Sequence, residues 1–318
     1  MVQLASLRHS RRAAFVVLGL ALVLATAGIA VAASTSRTFT PQKADQITNL
    51  DNLRQQIKNY YGTPGASSGS GATAGWTLPL NLDSNYAREA ESVASQAEQW
   101  LKARAHKSAK PAIVFDVDDT TLTTWNYELF SNWDYNPGTN AVFVGLTGTT
   151  FTGNLFPATP GMLDLAEAAH KLGYAIFWIT GRGDSQHQAT IANLVSDTAA
   201  GLADITSVTY SGATLPEIDA GYPMPTAIDV GHGGFTDGLF TKPSVGFYPA
   251  YLNKAEFCAS AIAANASCAT IPYKSGTRAY IESQGYDIVA DFGDQYSDLI
   301  GGYTDRTFKM PNPNYYLP

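Results

Sequence analysis

"AIVFDVDDTTL", residues 112–122, runs from apolar residues straight into three carboxylates and then into two threonines. The apolar part predicts a buried strand over residues 112–116. Asp116, Asp118 and Asp119 therefore lie at the end of that strand, although only 15% of the chain is charged. Because closely spaced carboxylates repel one another, the stretch predicts that a cationic group binds there.

Apolar residues in the rest of the chain alternate between extended and helical spacing. Further buried strands are predicted at residues 174–180 and 286–292. Helices are predicted at five places, which are residues 44–61, 83–106, 161–173, 185–197 and 275–285. Strands that alternate with helices predict an α/β fold, in which a parallel sheet is flanked by helices and the crossovers are right-handed.

Polar residues gather where the predicted strands end. The second strand ends in TGR at residues 180–182, Asp294 and Asp298 follow the last strand, and Lys274 is predicted to stand just before a helix. Turn and capping roles account for one or two such residues, but not for all of them together. Since ligands bind at the carboxyl ends of parallel strands, this edge of the sheet is the predicted functional site.

Four segments resemble, in order, the motifs of the haloacid dehalogenase (HAD) superfamily of phosphohydrolases. They read FDVDDTTL, FWITGR, YKS and GDQYSDL. The last of them, together with the tail RTFKMPNPNYYLP, is similar to subfamily IIIB, the secreted acid phosphatases that include plant acid phosphatases and vegetative storage proteins. The resemblance covers residues 83–318 and implies a Rossmann-like HAD core.

The carboxylates at residues 116 and 118 fit a two-step phosphoryl transfer. A carboxylate on a rigid strand end can attack phosphorus and split one difficult hydrolysis into two easier steps, and Asp116 has that position. Asp118 is the candidate general acid, which protonates the leaving oxygen and later deprotonates the attacking water. These two residues, with Thr180 and Lys274, are the predicted catalytic group.

A hard divalent cation is expected beside them, because negative charge accumulates on both enzyme and phosphate, and Mg²⁺ fits best. The resemblance implies that the Asp116 side chain, the Asp118 backbone carbonyl and Asp294 bind the metal, and that Asp298 belongs to the same site and orients it. It also implies that the phosphoryl group is held by Thr180, Gly181, Arg182 and Lys274.

Two residues near the second motif leave their roles open. Arg182 is a candidate for substrate contact and equally for an ion pair with an acidic side chain. His187 follows closely enough to approach the site, but a surface position is expected.

Two stretches between the motifs extend the core. Residues 123–158 are rich in aromatic side chains and predict a small cap over the site. Residues 199–272 look like an insertion before the third motif. This insertion contains both cysteines, Cys258 and Cys268, for which a local disulfide is predicted and two free buried thiols are the alternative.

The N-terminal residues have the pattern of an export signal. Arg8, Arg11 and Arg12 precede an apolar stretch that ends at small residues near Ala32, so a signal peptide is predicted over residues 1–32. An uncleaved membrane anchor is the alternative, and membrane contact is expected only in that case. Residues 33–82 predict a helical segment and a Gly/Ser-rich linker before the catalytic domain at 83–318.

These features predict a secreted, Mg²⁺-dependent acid phosphatase that acts on small phosphomonoesters. A formal net charge of −7 argues against nucleic acid as a partner. The alternatives are a noncatalytic storage or binding protein on the same fold, and a phosphotransferase that shares the covalent intermediate. The sequence predicts no oligomeric state.

Overall fold

A computed structural model describes residues 49–62, 80–105 and 107–317 of the 318-residue chain. The predicted signal peptide lies outside these ranges, as does the Gly/Ser-rich linker from residue 63 onward. The chain divides into one unit up to Leu53 and a compact unit from Arg54 to Pro318. None of the helices in the described ranges has the length and apolar character needed to cross a membrane.

Five strands form the central sheet, in the order β7-β4-β1-β8-β9. Their bounds are β1 Pro111–Phe115, β4 Ala175–Gly183, β7 Leu239–Lys242, β8 Asp287–Gly293 and β9 Thr307–Lys309. Every neighbouring pair is parallel, which confirms the predicted α/β fold with a parallel sheet. All five carboxyl ends therefore lie along one edge of the sheet.

Helices cover both faces of the sheet. The longer ones in the two main cores are α2 Asn85–Arg104, α5 Met162–Lys171, α6 His187–Leu194 and α8 Thr270–Ser283. Helix α1, Leu50–Tyr60, instead contributes Ile57 to a small separate apolar cluster with Tyr86 and Trp125. Phe115 of β1 belongs to the apolar core that includes α2 and α5, whereas Val114 belongs to a second core that includes α8. Successive strand residues point to opposite faces, so an apolar run without alternation is what a strand buried on both faces requires.

Lys274 lies inside a helix, whereas the sequence placed it just before one. α8 begins at Thr270 rather than near Ser275. The first turn of a helix leaves its N–H groups without intrahelical partners, so Pro272 is tolerated there. Lys274 therefore lies within a helical turn, which limits the movement of its backbone.

Short elements fill the two predicted extensions of the core. The stretch after β1 contains α3 Trp125–Ser131, α4 Pro137–Val144 and the hairpin β2 Leu146–Thr147 with β3 Thr150–Phe151. The later stretch contains the hairpin β5 Ser207–Tyr210 with β6 Ala213–Pro216, strand β7, and α7 Ala259–Ala263. A further short helix, α9, covers Tyr296–Leu299 near the chain end. The sequence predicted neither β7 nor β9, although both belong to the central sheet.

A disulfide joins Cys258 and Cys268, whose Cα atoms are 5.4 Å apart. Both cysteines are buried. The bond lies immediately before α8 and so ties the helix that carries Lys274 to the loop in front of it.

Replacing both cysteines by alanine is expected to lower the free energy of unfolding by about 2 to 3 kcal/mol, because the closed loop restricts the unfolded chain. Thermal unfolding with and without a reducing agent measures this. The reductant should lower the unfolding temperature of the wild type and leave that of the double variant unchanged. An identical unfolding temperature for the oxidised and reduced wild type would contradict the assignment.

Candidate active site

A cavity of about 500 Å³ opens at the carboxyl edge of the sheet. The loop after β1 brings Asp116 and Asp118 to it, and the end of β4 brings Gly181 and Arg182. Lys274 comes from α8, Asp294 from the residue after β8, and Asp298 from α9. Residues as far apart in the chain as 116 and 298 therefore meet in one place.

Lys274 bridges two buried carboxylates. Its Nζ lies 2.5 Å from Oδ1 of Asp116 and 2.7 Å from Oδ1 of Asp298. Burial raises the pKa of Asp116 to about 7, although the charge of Lys274 opposes this. Burial also lowers the pKa of Lys274, but the two carboxylates outweigh it and hold this pKa above its usual value. The lysine therefore stays charged and fixes the position of Asp116.

Both carboxylate oxygens of Asp298 have a partner. Oδ1 accepts from Lys274, and Oδ2 accepts the backbone N–H of Gln295 at 2.8 Å, which closes a capping box at the start of α9. These contacts suit a carboxylate that holds Lys274 in place.

Asp294 has amide donors around it and no cationic partner among the described residues. Its Oδ2 accepts from Nε2 of Gln295 and from Nδ2 of Asn312, both at 2.6 Å. Burial, followed by the charges of Asp116, Asp298 and Asp119, raises its pKa well above the usual value. A carboxylate in this setting is stabilised by a bound cation.

The site fits a hard divalent cation. One oxygen from each of Asp116, Asp294 and Asp298 can be chosen so that all three atoms lie within 4.8 Å of one another. The residues are buried and the potential ligand atoms are all oxygens, which is the donor set that Mg²⁺ prefers. Lys274 offsets only part of the negative charge of these three side chains, which leaves the charge deficit that a cation fills.

Asp118 is held by Arg182. Nη2 of Arg182 lies 2.6 Å from Oδ1 of Asp118, and Nε lies 3.0 Å from Oδ2. Nη1 also donates to Oγ1 of Thr190 at 3.1 Å. Of the two roles considered for Arg182, the ion pair is the one present in the structure, and the guanidinium orients the Asp118 carboxylate at the cavity.

Thr180 and Gly181 occupy different positions at the end of β4. Gly181 lines the cavity, whereas Thr180 is fully buried and is not among the lining residues. Oγ1 of Thr180 accepts the backbone N–H of Arg182 at 3.1 Å. In this arrangement Thr180 holds the end of the strand that presents Gly181 and Arg182.

Asp119 and Asn312 support the site without having been assigned roles from the sequence. Asp119 has φ of 51°, a left-handed conformation that Asp tolerates better than most residues. Its carboxylate accepts from N and Oγ1 of Thr124, at 3.0 and 2.6 Å, and so fixes the start of helix α3. Asn312, from the tail, holds Asp294. The asparagines of PNPN, residues 311–314, were the sequence feature that could have indicated a contact from the tail to the site.

His187 is fully buried, so the expected surface position is wrong. Its Nε2 lies 2.8 Å from Oδ2 of Asp237 and its Nδ1 lies 3.2 Å from Oγ1 of Thr241. The ring also stacks on Phe235, with 3.6 Å between ring centroids. Strand β7, which the sequence did not predict, carries Thr241 and covers the histidine.

A second group of carboxylates lies outside the cavity lining. Oxygens of Asp197, Glu217 and Asp219 also lie within 4.8 Å of one another. Burial is the main reason that the pKa of Glu217 is raised to about 7. The hydrogen bond from the Asn154 N–H lowers this pKa, and neighbouring acidic charges raise it.

A family model for HAD superfamily, subfamily IIIB (Acid phosphatase) matches residues 80–211 and 258–318. Together these two segments make up more than half of the chain. The match leaves out residues 212–257, which include β7.

Curated relatives are similar over different lengths. Acid phosphatase 1 of Solanum lycopersicum is 24% identical over 242 residues, 73% of this chain and 69% of that protein. Vegetative storage protein 2 of Arabidopsis thaliana is 25% identical over 245 residues, 75% of this chain and 69% of that protein. A shorter match, 51% identical over 49 residues, spans 15% of this chain and 19% of the Stem 28 kDa glycoprotein of Glycine max.

Among solved structures, the class C acid phosphatase from Bacillus anthracis is similar, and the match covers 84% of this chain and 87% of that protein's chain. The sequence identity is 17% and the TM-score is 0.47.

Lys274→Met is expected to destabilise the protein by about 3 kcal/mol at pH 8, because it leaves buried carboxylates without their cation. Without the lysine, the pKa of Asp116 in the folded state rises further above its unfolded value, so unfolding free energy is lost as pH rises. The deficit should therefore be smaller at pH 5 than at pH 8. Urea unfolding in EDTA, followed by tryptophan fluorescence, measures both values.

Adding the isosteric Asp116→Asn change to Lys274→Met serves as the control, since it removes one of the two buried negative charges. Part of the lost stability should return at pH 8. Equal deficits at the two pH values, or no recovery in the double variant, would contradict the charge compensation described for this site.

Proposed function

The chain belongs to the HAD superfamily, subfamily IIIB of acid phosphatases, and from that premise we propose that it is a Mg²⁺-dependent enzyme that hydrolyses small phosphomonoesters. The observation that carries the proposal is the meeting of Asp116, Lys274 and Asp294 at one cavity. A nucleophile, a fixed cation and an unpaired carboxylate in one place are the parts that phosphoryl transfer requires.

Asp116 is the proposed nucleophile. Its carboxylate follows the rigid end of β1, and its backbone N–H donates to the carbonyl of Phe292 at 2.9 Å. One of its oxygens forms a bond to phosphorus while the bond from phosphorus to the ester oxygen breaks. The product is an aspartyl-phosphate and an alcohol.

Asp118 is the proposed general acid and base. In the first step it gives a proton to the ester oxygen as that oxygen leaves. In the second step it takes a proton from the water that attacks the aspartyl-phosphate, which releases inorganic phosphate and restores Asp116. The contact with Arg182 keeps its carboxyl group directed into the cavity through both steps.

Lys274 and Gly181 are the proposed contacts of the phosphoryl oxygens. The ammonium group of Lys274 already lies beside the attacking carboxylate, where it stabilises negative charge on the oxygens being transferred. Gly181 lines the cavity at the end of β4 and offers a backbone N–H. Thr180 supports this strand end through its contact with the backbone N–H of Arg182.

The residues proposed to hold Mg²⁺ are the Asp116 and Asp294 side chains and the Asp118 backbone carbonyl, with Asp298 beside them. When bound, the ion supplies positive charge that offsets the combined charge of phosphate and carboxylates. Asn312 and Gln295 keep the Asp294 carboxylate in a fixed orientation for this purpose.

The cap supplies the wall against which the alcohol part of the substrate packs. Tyr127, Trp133 and Tyr135 line the cavity together with the charged residues. Their aromatic surface favours small apolar or planar leaving groups.

Export from the cell is part of the proposal. It rests on the basic and apolar pattern of residues 1–32, and a disulfide suits an oxidising compartment.

Rapid mixing with p-nitrophenyl phosphate and MgCl₂ tests the mechanism. The wild type should turn over steadily, and EDTA should abolish turnover until Mg²⁺ is restored in excess. Asp118→Asn should release p-nitrophenolate in a burst of up to one equivalent, since this good leaving group needs no acid but the intermediate then lacks its base. Asp116→Asn should show no burst and at least about 1,000-fold less activity.

Folding of the three proteins is compared by circular dichroism, so that both isosteric variants act as controls for each other. Activity that survives Asp116→Asn would refute the mechanism. An inactive wild type with metal present would instead favour the noncatalytic storage or binding alternative.

A further inference from the structure

Three cationic side chains line the cavity, and two of them are already paired. Arg182 contacts Asp118, and Lys274 contacts Asp116 and Asp298. The third, Lys242, makes no side-chain hydrogen bond or ion pair with any residue in the described part of the chain. The side chain is partly exposed to the cavity. An ammonium group inside a cavity without an anionic partner is free to bind an anion supplied by a ligand.

Lys242 stands to one side of the reacting carboxylate. It is the last residue of β7, and it pairs in register with Gly183 of β4. β4 separates β7 from β1 in the sheet, so Lys242 stands on a strand about 10 Å from β1, whose end Asp116 directly follows. A ligand whose phosphoryl group lies at Asp116 would therefore meet Lys242 through a different part of its structure.

The charge at Lys242 is uncompensated. Burial, and then the positive charge of Lys274, lower the pKa of the Lys242 ammonium group. Both lysines line the same cavity, so their positive charges repel each other. A ligand that carries two negative groups relieves this repulsion, whereas a ligand with one negative group at Asp116 leaves Lys242 unpaired.

The backbone beneath Lys242 is rigidly held. Asp184 accepts from Oγ1 of Thr241 at 3.0 Å and from the backbone N–H of Ser244 at 3.2 Å. Asp184 also contacts His232 at 2.8 Å. Residues on both sides of Lys242 are thus hydrogen-bonded to the same carboxylate of Asp184, which fixes the backbone position of the lysine.

Lys242 belongs to the part of the chain that distinguishes it from the family model, which does not match residues 212–257. A preference that depends on this residue would be a property of this chain.

We propose that Lys242 binds a second oxyanion of the substrate, so that the enzyme prefers phosphomonoesters that also carry a carboxylate or a second phosphate. The proposal rests on the proposed function for its reaction, but its binding step can be tested without turnover.

The test compares two phosphonates that cannot be hydrolysed and that differ in one carboxylate, benzylphosphonate and 4-(phosphonomethyl)benzoate. Their affinities are measured by isothermal titration calorimetry with MgCl₂ present, for the wild type, Lys242→Met and Lys242→Arg. The wild type should bind the carboxylate-bearing ligand about 10-fold more tightly, as one charge-assisted hydrogen bond predicts. The ratio should fall close to 1 in Lys242→Met and persist in Lys242→Arg.

Lys102→Met is the matched control for the loss of one positive charge, because the Lys102 side chain is 58% exposed on α2 and pairs with Glu98. Its affinity ratio should equal that of the wild type. A wild-type ratio near 1 overturns the proposal, and so does a preference that survives Lys242→Met.

Hydrolysis of p-nitrophenyl phosphate by the same wild-type preparation separates the two failures. An inactive protein that keeps the 10-fold preference would refute the proposed reaction and support the Lys242 site. An active protein without the preference would support the proposed reaction and refute the Lys242 site.

Discussion

The contact between Lys274 and the carboxylates of Asp116 and Asp298 is the interaction on which the rest of the site depends. These charges are almost fully removed from water, and a buried carboxylate without a partner would take up a proton. A protonated Asp116 could not attack phosphorus. By holding a positive charge 2.5 Å from Asp116, the helix α8 counteracts the effect of burial on the proposed nucleophile.

The same contact explains several structural features around it. α8 must begin early enough to place Lys274 in a helical turn, and the disulfide between Cys258 and Cys268 fixes the segment just before that helix. Asp298 is held in turn by the capping box of α9. Asp294 has amide donors but no cationic side chain beside it among the described residues.

Much of the fold follows from sequence pattern, because β1, β4 and β8 are apolar runs long enough to be recognised. Their parallel arrangement, together with Asp116 and Asp294 at their ends, predicts that these carboxylates meet. β7 and β9 were not predicted, since four residues or fewer have no periodicity of their own and gain their identity from hydrogen bonds to neighbours. The burial of His187 follows from β7, so it was missed for the same reason.

Pairwise contacts at the site were less accessible from sequence. Spacing alone could not decide whether Arg182 pairs with Asp118, nor show that Lys242 remains unpaired, because both outcomes depend on side chains from distant strands. The contact between Asn312 of the tail and Asp294 could not be predicted from spacing either. Such contacts follow from tertiary packing, which the periodicity of a single segment does not encode.

The most direct test of the central claim is an anomalous diffraction measurement on crystals of the protein soaked in MnCl₂, with Mn²⁺ standing in for Mg²⁺. The account predicts a strong anomalous peak in contact with carboxylate oxygens of Asp116 and Asp294, beside the ammonium group of Lys274. A peak only at Asp197, Glu217 and Asp219, with nothing between Asp116 and Asp294, would contradict it.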